Sequence, residues 1–549
     1  MNPARVRLCG LAAMLAWVPA AGITPARSSE ERSKPAAPPK APLVLVTISK
    51  ETTYITGPLR KDGYVDYVAA LNQRCSQGVT PENNAAVPFL KAMWLAGIGP
   101  KHGDGYCRML GIPPPPEKGD YYVTLEKYAK GLKAAGNPAA EAVEEGREFS
   151  WEQLTQAMRR PWSKQEFPVL AGWLAANEGP LALLVEASQR PRRYDPLISD
   201  DGSVLAILLP AAGEYREAVR ALTARAMLRL SADNPDGAWQ DLLACHRLAR
   251  LAGQGPTLVE ALVAISVDAM ACAGDQALLQ HAPLTPARIA GIRADLHRLP
   301  PMPKMVDKID VAERFMYLDC VRTAARDALR SLSGSTGRKP KGVIGALGHA
   351  AAAGGSTAID WDLILRMGNG WYDGAADALR KPTRGERQAA AGNIAKEFDR
   401  QVKEAQDWKS LAVDATFDRR GGVSRRVGLS LLALILPATR AAGEAEDRGT
   451  MLFEVTRLGF ALAAYRADHA ACPAKLADLV PKYAAEVPKD IFNAADLHYK
   501  REGSGCLVYS VGSNGKDDGG KGHADRKDGE DWDDLAVRVP AGGKRISRP

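Results

Sequence analysis

Apolar residues recur along most of this chain at steps of three and four, the spacing of helices that bury one face. Over Gly213 to Leu230 the stripe is Tyr215, Val219, Leu222, Ala226 and Leu230. Asn234-Pro-Asp-Gly237 is a turn signal, and Trp239, Leu242, Leu243, His246 and Ala249 carry the stripe onto a second helix. Gly253-Gln-Gly-Pro256 stops it, Thr257 opens a third helix, and Thr285-Pro286 caps a fourth that ends at Leu299-Pro-Pro-Met-Pro303. Connections this short make successive helices antiparallel neighbours, so residues 201–330 are expected to form helical hairpins or a bundle.

The flanks are less regular. Leu43 to Ile48 is an apolar run short enough for a strand. After it, Asp66 to Gln77 has helical spacing, and Thr80-Pro81-Glu82-Asn83 has the composition of a helix start, so 43–200 is expected to be a helical region. Residues 331–358 turn to Gly, Ser, Lys and Ala and suit a flexible linker. A helical segment is expected over 359–420, with its pattern running from Trp361 to Asp407. Gly421-Gly422 opens a last unit, 421–549, in which Val427 to Leu436 is too short to span a bilayer and suits a buried helix. Within that unit a helix-like run ends at Tyr465-Arg-Ala-Asp-His469. Beyond it come a short apolar strand-like run, Leu507 to Ser510, and a Gly- and Asp-rich loop that leads to Leu535 to Val539. The fold class expected is mainly α: a helical-hairpin or bundle body with a small α+β C-terminal domain.

Composition narrows the function classes. With 549 residues, several domains are expected. A net charge of +8, spread as Lys and Arg among acids on helix faces, reads as solvated surface, and no nucleic-acid partner is expected. Arg5 and Arg7, the apolar run Leu8 to Val18 and the small residues near Ala21 have the layout of a secretory signal peptide, 1–21, followed by a Pro-rich linker, 22–42. Export to the periplasm or cell envelope is expected, with membrane contact only through an uncleaved signal anchor. Eight cysteines, one of them inside the signal, then sit where disulfides form.

Few residues announce chemistry. There is no phosphate-binding Gly-Lys-Ser/Thr, no Gly-x-Ser-x-Gly and no His-Glu-x-x-His. The Gly-rich stretch Gly342 to Gly348 follows no convincing strand. Cys245 and His246 are adjacent on a helix and point apart, so a packed histidine is expected instead of a nucleophile and base. Glu260 and Asp268 share a helix face, and such a pair serves either acid/base catalysis or ion pairing with Arg247, Arg250 or Arg293. Asn514, Asp517, Asp518, Asp525, Asp528, Glu530, Asp531, Asp533 and Asp534 lie in the C-terminal loop. Oxygen ligands on glycine-rich backbone suit calcium, and a merely solvated acidic loop is the alternative.

The order of motifs at the end of the chain resembles the globular part of a type II secretion major pseudopilin, over about residues 451–539. The residues that carry the likeness are Tyr465, Asp468, Pro473, Pro488-Lys489-Asp490, Tyr509-Ser510, Gly512 and Asn514-Gly515. The resemblance implies calcium held through Asn514 and the late acids Asp533 and Asp534, with Asp517 and Asp518 beside them. It also places Cys472 at the family's tyrosine position and Cys506 on the strand packed nearby, which implies a Cys472–Cys506 disulfide. The long apolar N-terminal helix that lets a pseudopilin polymerise has no counterpart at the chain start. The remainder resembles uncharacterised exported bacterial proteins, through Thr80 to Val87, Ala238 to Arg247 and Asp307 to Asp310.

The reading that follows is an exported, non-enzymatic envelope protein, a helical scaffold with a calcium-stabilised module that binds an envelope partner. An exported hydrolase using Glu260 and Asp268 is the alternative. Assembly into a pilus-like fibre is disfavoured by the missing helix.

Overall fold

The computed structural model describes residues 44–93, 98–136, 149–332, 359–407, 418–435, 437–526 and 529–540. The expected signal sequence, the linker 22–42, residues 333–358 and Asp528 lie outside these. The protein is mainly α, as its periodicity predicts.

The N-terminal part comprises α1 (Tyr67–Cys75), α2 (Ala86–Met93), α3 (Gly99–Leu110), α4 (Leu125–Ala134), α5 (Phe149–Arg159), α6 (Pro168–Ala176) and α7 (Glu178–Ser188). Two local expectations fail here. Residues 44–48 do not form a strand; Thr47 instead donates its N–H and hydroxyl to the Asp362 carboxylate, at 2.8 and 2.6 Å. Thr80 to Asn83 is a turn and does not start a helix, because Asn83 Oδ1 accepts the Thr80 N–H at 2.9 Å and folds the segment back on itself. A short hairpin, β1 (Ile198–Ser199) with β2 (Ile207–Leu208), leads into the hairpin body.

That body is α8 (Ala211–Ser231), α9 (Pro235–Ala252), α10 (Leu258–His281) and α11 (Pro286–Arg298). Its caps are the ones the sequence signals. Asn234 accepts from Gly237 N–H, Thr257 and Glu260 form a reciprocal capping box, and Thr285 accepts from Arg288 N–H. Between α8 and α9 the buried Arg225 clasps Asp241 with two bonds, 2.7 and 3.1 Å.

A second apolar core forms around α12 (Met305–Lys308), the π turn Ile309–Glu313, α13 (Arg314–Leu332), α14 (Trp361–Leu379) and α16 (Arg419–Ile435), with α15 (Arg384–Gln406) alongside. Val427, Leu429, Leu431 and Leu432 of the expected buried helix are buried here, and Leu436 lies outside the described residues. Among the described residues no single helix is long and apolar enough to cross a membrane.

The 33-residue helix α17 (Pro437–His469), about 50 Å long, runs from this core to the first one. Its buried Met451, Val455, Phe460 and Leu462 belong to the same core as α10 and an antiparallel sheet of β3 (His498–Glu502), β4 (Gly505–Ser510) and β5 (Leu535–Val539). Gly459 allows the closest approach: a Cβ there would stand 2.5 Å from Val537 Cγ1. Every residue of central strand β4 is buried, since helix and neighbouring strands cover it. The C-terminal strands and the hairpin body therefore share one apolar interior.

Candidate metal centre

Strands β4 and β5 are hydrogen-bonded neighbours, with Ser510 opposite Leu535. The loop between them must start and finish at one place, which brings Asp533 and Asp534 back to the residues just after Ser510. Gly512 makes the fit possible. Its φ of +69° suits only glycine comfortably, and a Cβ would lie 2.3 Å from the Asp533 carbonyl oxygen.

The loop is pinned at its entry by Asp490. This carboxylate is fully buried and accepts three bonds of 2.9 Å, from Val511 N–H and the Ser510 hydroxyl at the end of β4 and from Phe492 N–H. Pro488-Lys489-Asp490, noticed in the sequence only as part of a resemblance, thus has a physical task. It holds the strand exit in place.

Three carboxylates converge at the loop's base. Asp533 Oδ2 accepts the N–H groups of Ser513 (2.9 Å) and Asn514 (3.2 Å). Asp534 Oδ2 accepts those of Gly520 (2.7 Å) and Asp518 (3.1 Å). Asp518 Oδ2 accepts from Asp533 N–H at 3.1 Å. Asp518, Asp533 and Asp534 each bring one carboxylate oxygen within 4.8 Å of the others. Asp533 Oδ1 and Asp534 Oδ1 are buried and have no hydrogen-bond partner among the described residues. A buried anion oxygen without a partner costs free energy, and three carboxylates brought together repel. Arg448 of α17 reaches only 3.8 Å from Asp533 Oδ2. Burial first, then the charges of Asp518 and Asp517, push the Asp534 carboxyl up to about 6, against the hydrogen bond from Gly520.

The other acids named from the sequence are elsewhere. Asp517 turns away from the cluster, where Oδ1 accepts from the Tyr509 hydroxyl and Gly519 N–H, both at 2.9 Å. Asn514 adjoins the cluster, but its amide is engaged within the loop, donating to the Asp531 carbonyl (2.7 Å) and Asp518 (3.2 Å) and accepting from Lys516 N–H. Asp525 caps Gly522 N–H and Asp531 pairs with Arg526. Glu530 is exposed. An all-oxygen set of three carboxylates, two with an unused oxygen, fits a hard cation such as calcium.

Cys472 and Cys506 are both buried and meet beneath this module, their sulfurs 2.6 Å apart. The expected disulfide is not closed: both are free thiols, and a bond would need about 2.05 Å. Burial, and after it the neighbouring Cys472, pushes the Cys506 thiol up to about 12.

The paired helix carboxylates divide into two separate networks. Glu260 receives Thr257 at its cap and Arg193 at 2.9 Å. A shallow recess beside it is lined by Arg193, Asp195, Leu208, Pro210 and Ala212 and does not reach Asp268. Asp268 is bonded by His246 Nδ1 (2.6 Å) and Arg250 (2.7 Å), while His246 Nε2 meets Asp275 at 3.0 Å. Burial alone would favour a neutral imidazole, but Asp275 and Asp268 outweigh it and hold His246 up to about 9. Sequence spacing alone does not single out Asp275, because a lone acid on a helix has the look of a surface residue. The signal available was its apolar surroundings, Ala271 to Leu279.

Compared with known protein families, curated proteins and solved structures, the chain matches none.

Proposed function

We propose that this chain is an exported, non-enzymatic protein of the periplasm or cell envelope. It is a helical scaffold carrying a C-terminal module similar to the globular end of type II secretion major pseudopilins, stabilised by calcium and presented to an envelope protein partner. The observation that carries this reading is the convergence of Asp518, Asp533 and Asp534 with two buried carboxylate oxygens that no donor among the described residues serves. Calcium, when bound, supplies positive charge shared by three carboxylates. The chain itself does the positioning: Asp490 fixes the loop's entry, Gly512 admits the returning backbone, and the register of β4 with β5 delivers Asp533 and Asp534.

Two further observations support a scaffold over a fibre subunit or a hydrolase. The apolar face of α17 is used inside the chain, against α10 and β5. Glu260 and Asp268 are each held in ion pairs, in separate networks. Export would place the Cys472 and Cys506 thiols in an oxidising compartment, where we expect them to close into a disulfide.

The test is calcium titration calorimetry on the full chain and on Asp533→Asn. Saturable binding near one equivalent, weakened at least about tenfold by the substitution, is expected, because affinity follows ligand charge. Heat indistinguishable from dilution in the unsubstituted chain would sink the proposal.

A further inference from the structure

Beneath Phe453 of α17, far along the chain from the acidic loop, α9 and α10 enclose a second group of side chains whose donors are of a different kind. His246, Asp268 and Cys272 each place one ligand atom within 4.8 Å of the other two, and all three are buried. Asp268 and Cys272 are one helical turn apart on α10, so they face the same way, and His246 looks at them from α9. Asp275, one turn further, is fully buried; its Oδ2 meets His246 Nε2 at 3.0 Å while its Oδ1 has no partner.

We propose that His246 Nδ1, Asp268 and Cys272 bind a borderline-soft divalent ion, zinc(II), with Asp275 as the positioning carboxylate that fixes the imidazole through its Nε2–H. A mixed nitrogen, sulfur and oxygen set is the ligand chemistry zinc takes, where calcium takes oxygen alone. A carboxylate on the far nitrogen of a ligating histidine is the usual way its tautomer is set. Zinc bonds of about 2.0–2.1 Å at a tetrahedral angle separate neighbouring ligands by roughly 3.3 Å. The Nδ1 to Asp268 Oδ1 distance of 2.6 Å must therefore open by about 0.7 Å as the ion replaces the proton between them.

Charge balance permits the exchange. With His246 protonated on both nitrogens, the group holds two cations, His246 and Arg250, and two anions, Asp268 and Asp275. Entry of the divalent ion releases two protons to solvent, one from His246 Nδ1 and one from the Cys272 thiol. The group is then the ion and Arg250 against two carboxylates and one thiolate, again neutral. No uncompensated charge is buried in either state, which is what an interior of this kind requires.

The experiment uses the full chain, produced in medium supplied with cobalt(II) in place of zinc and purified with calcium present. One cobalt per chain is expected, with a thiolate-to-cobalt charge-transfer band in the near ultraviolet and the visible bands of tetrahedral cobalt. Cys272→Ser removes the charge-transfer band, whereas Cys245→Ser on the neighbouring helix, and Asp533→Asn in the acidic loop, keep it. Asp275→Asn weakens retention against a chelator by about 10–100-fold. A chain without cobalt, a cobalt spectrum lacking the thiolate band, or a band that persists in Cys272→Ser overturns the proposal. Should Cys272→Ser fail to fold, the spectrum and metal content of the unsubstituted chain decide alone. Failure here leaves the calcium reading intact, since oxygen ligands give no thiolate band.

Discussion

Asp490→Ala is the substitution that most directly tests how the acidic loop is built. The carboxylate is fully buried and accepts three bonds of 2.9 Å, from Phe492 N–H, the Ser510 hydroxyl and Val511 N–H. Bonds to a charged acceptor contribute about 1.5–3 kcal/mol each, and buried donors left without a partner cost about 1–3 kcal/mol each. The terms overlap because all three donors lie on one short stretch of chain. A total loss of about 3–5 kcal/mol is therefore expected, at the upper end for single substitutions. Asp490→Asn keeps the shape but presents an amide N–H₂ where a donor already points, so it should recover only part of that loss. Urea denaturation followed by far-ultraviolet circular dichroism gives the stability, and hydrogen exchange of Val508 to Gly512 localises it. Calcium titration of the same variants gives the consequence for the loop. A loss below about 1 kcal/mol, or calcium affinity unchanged in a destabilised Asp490→Ala, would refute the idea that this residue positions the site.

Acid should weaken calcium binding in a defined window. Asp534 titrates near 6, above the usual carboxylate range, so a proton competes with the ion below that pH, and apparent affinity falls by up to about tenfold per unit. In the calcium-free chain the same raised value means that stability declines as pH rises from about 4 through 6, a trend that thermal melts with chelator should show and calcium should reverse. His246 gives a higher window of the same sign: held up to about 9, it contributes stability fully below about 6.5 that is lost as pH climbs through 9. Its contribution is on the order of 3 kcal/mol, read as the difference between the chelator-stripped chain and His246→Gln across pH 7–10; parallel curves would contradict the network. Gly459→Leu should cost about 2–4 kcal/mol by forcing α17 off β5, whereas Gly370→Ala, where a Cβ meets nothing within 4 Å, should stabilise or be neutral in the same melts. For the thiol pair, mass spectrometry of a non-reduced digest of exported material should find Cys472 linked to Cys506; recovery of both as free thiols would count against the bond.

The chain's periodicity determines most of its helices. Steps of three and four along Gly213 to Leu230, with Asn234, Thr257 and Thr285 as caps, fix where those helices begin and end, because both signals act within a few residues. Local signals also mislead where a side chain has a better local partner. Thr80-Pro-Glu-Asn83 has the composition of a helix start, yet Asn83 closes it into a turn, and the apolar run at 44–48 finds Asp362 more than three hundred residues away instead of a strand.

The site divides the same way. Sequence composition marks an acidic loop and the apolar strand before it, but it does not say which acids meet. The pairing of Ser510 with Leu535 selects Asp533 and Asp534 and turns Asp517 toward Tyr509, a choice made by sheet register. The burial of Asp490, the approach of α17 to β5 at Gly459 and the closing of His246 between Asp268 and Asp275 all join residues distant in sequence. Periodicity and capping are properties of neighbours along the chain, so they are written in it. Charge pairing in the core depends on what is brought opposite, and only the packed tertiary structure decides that.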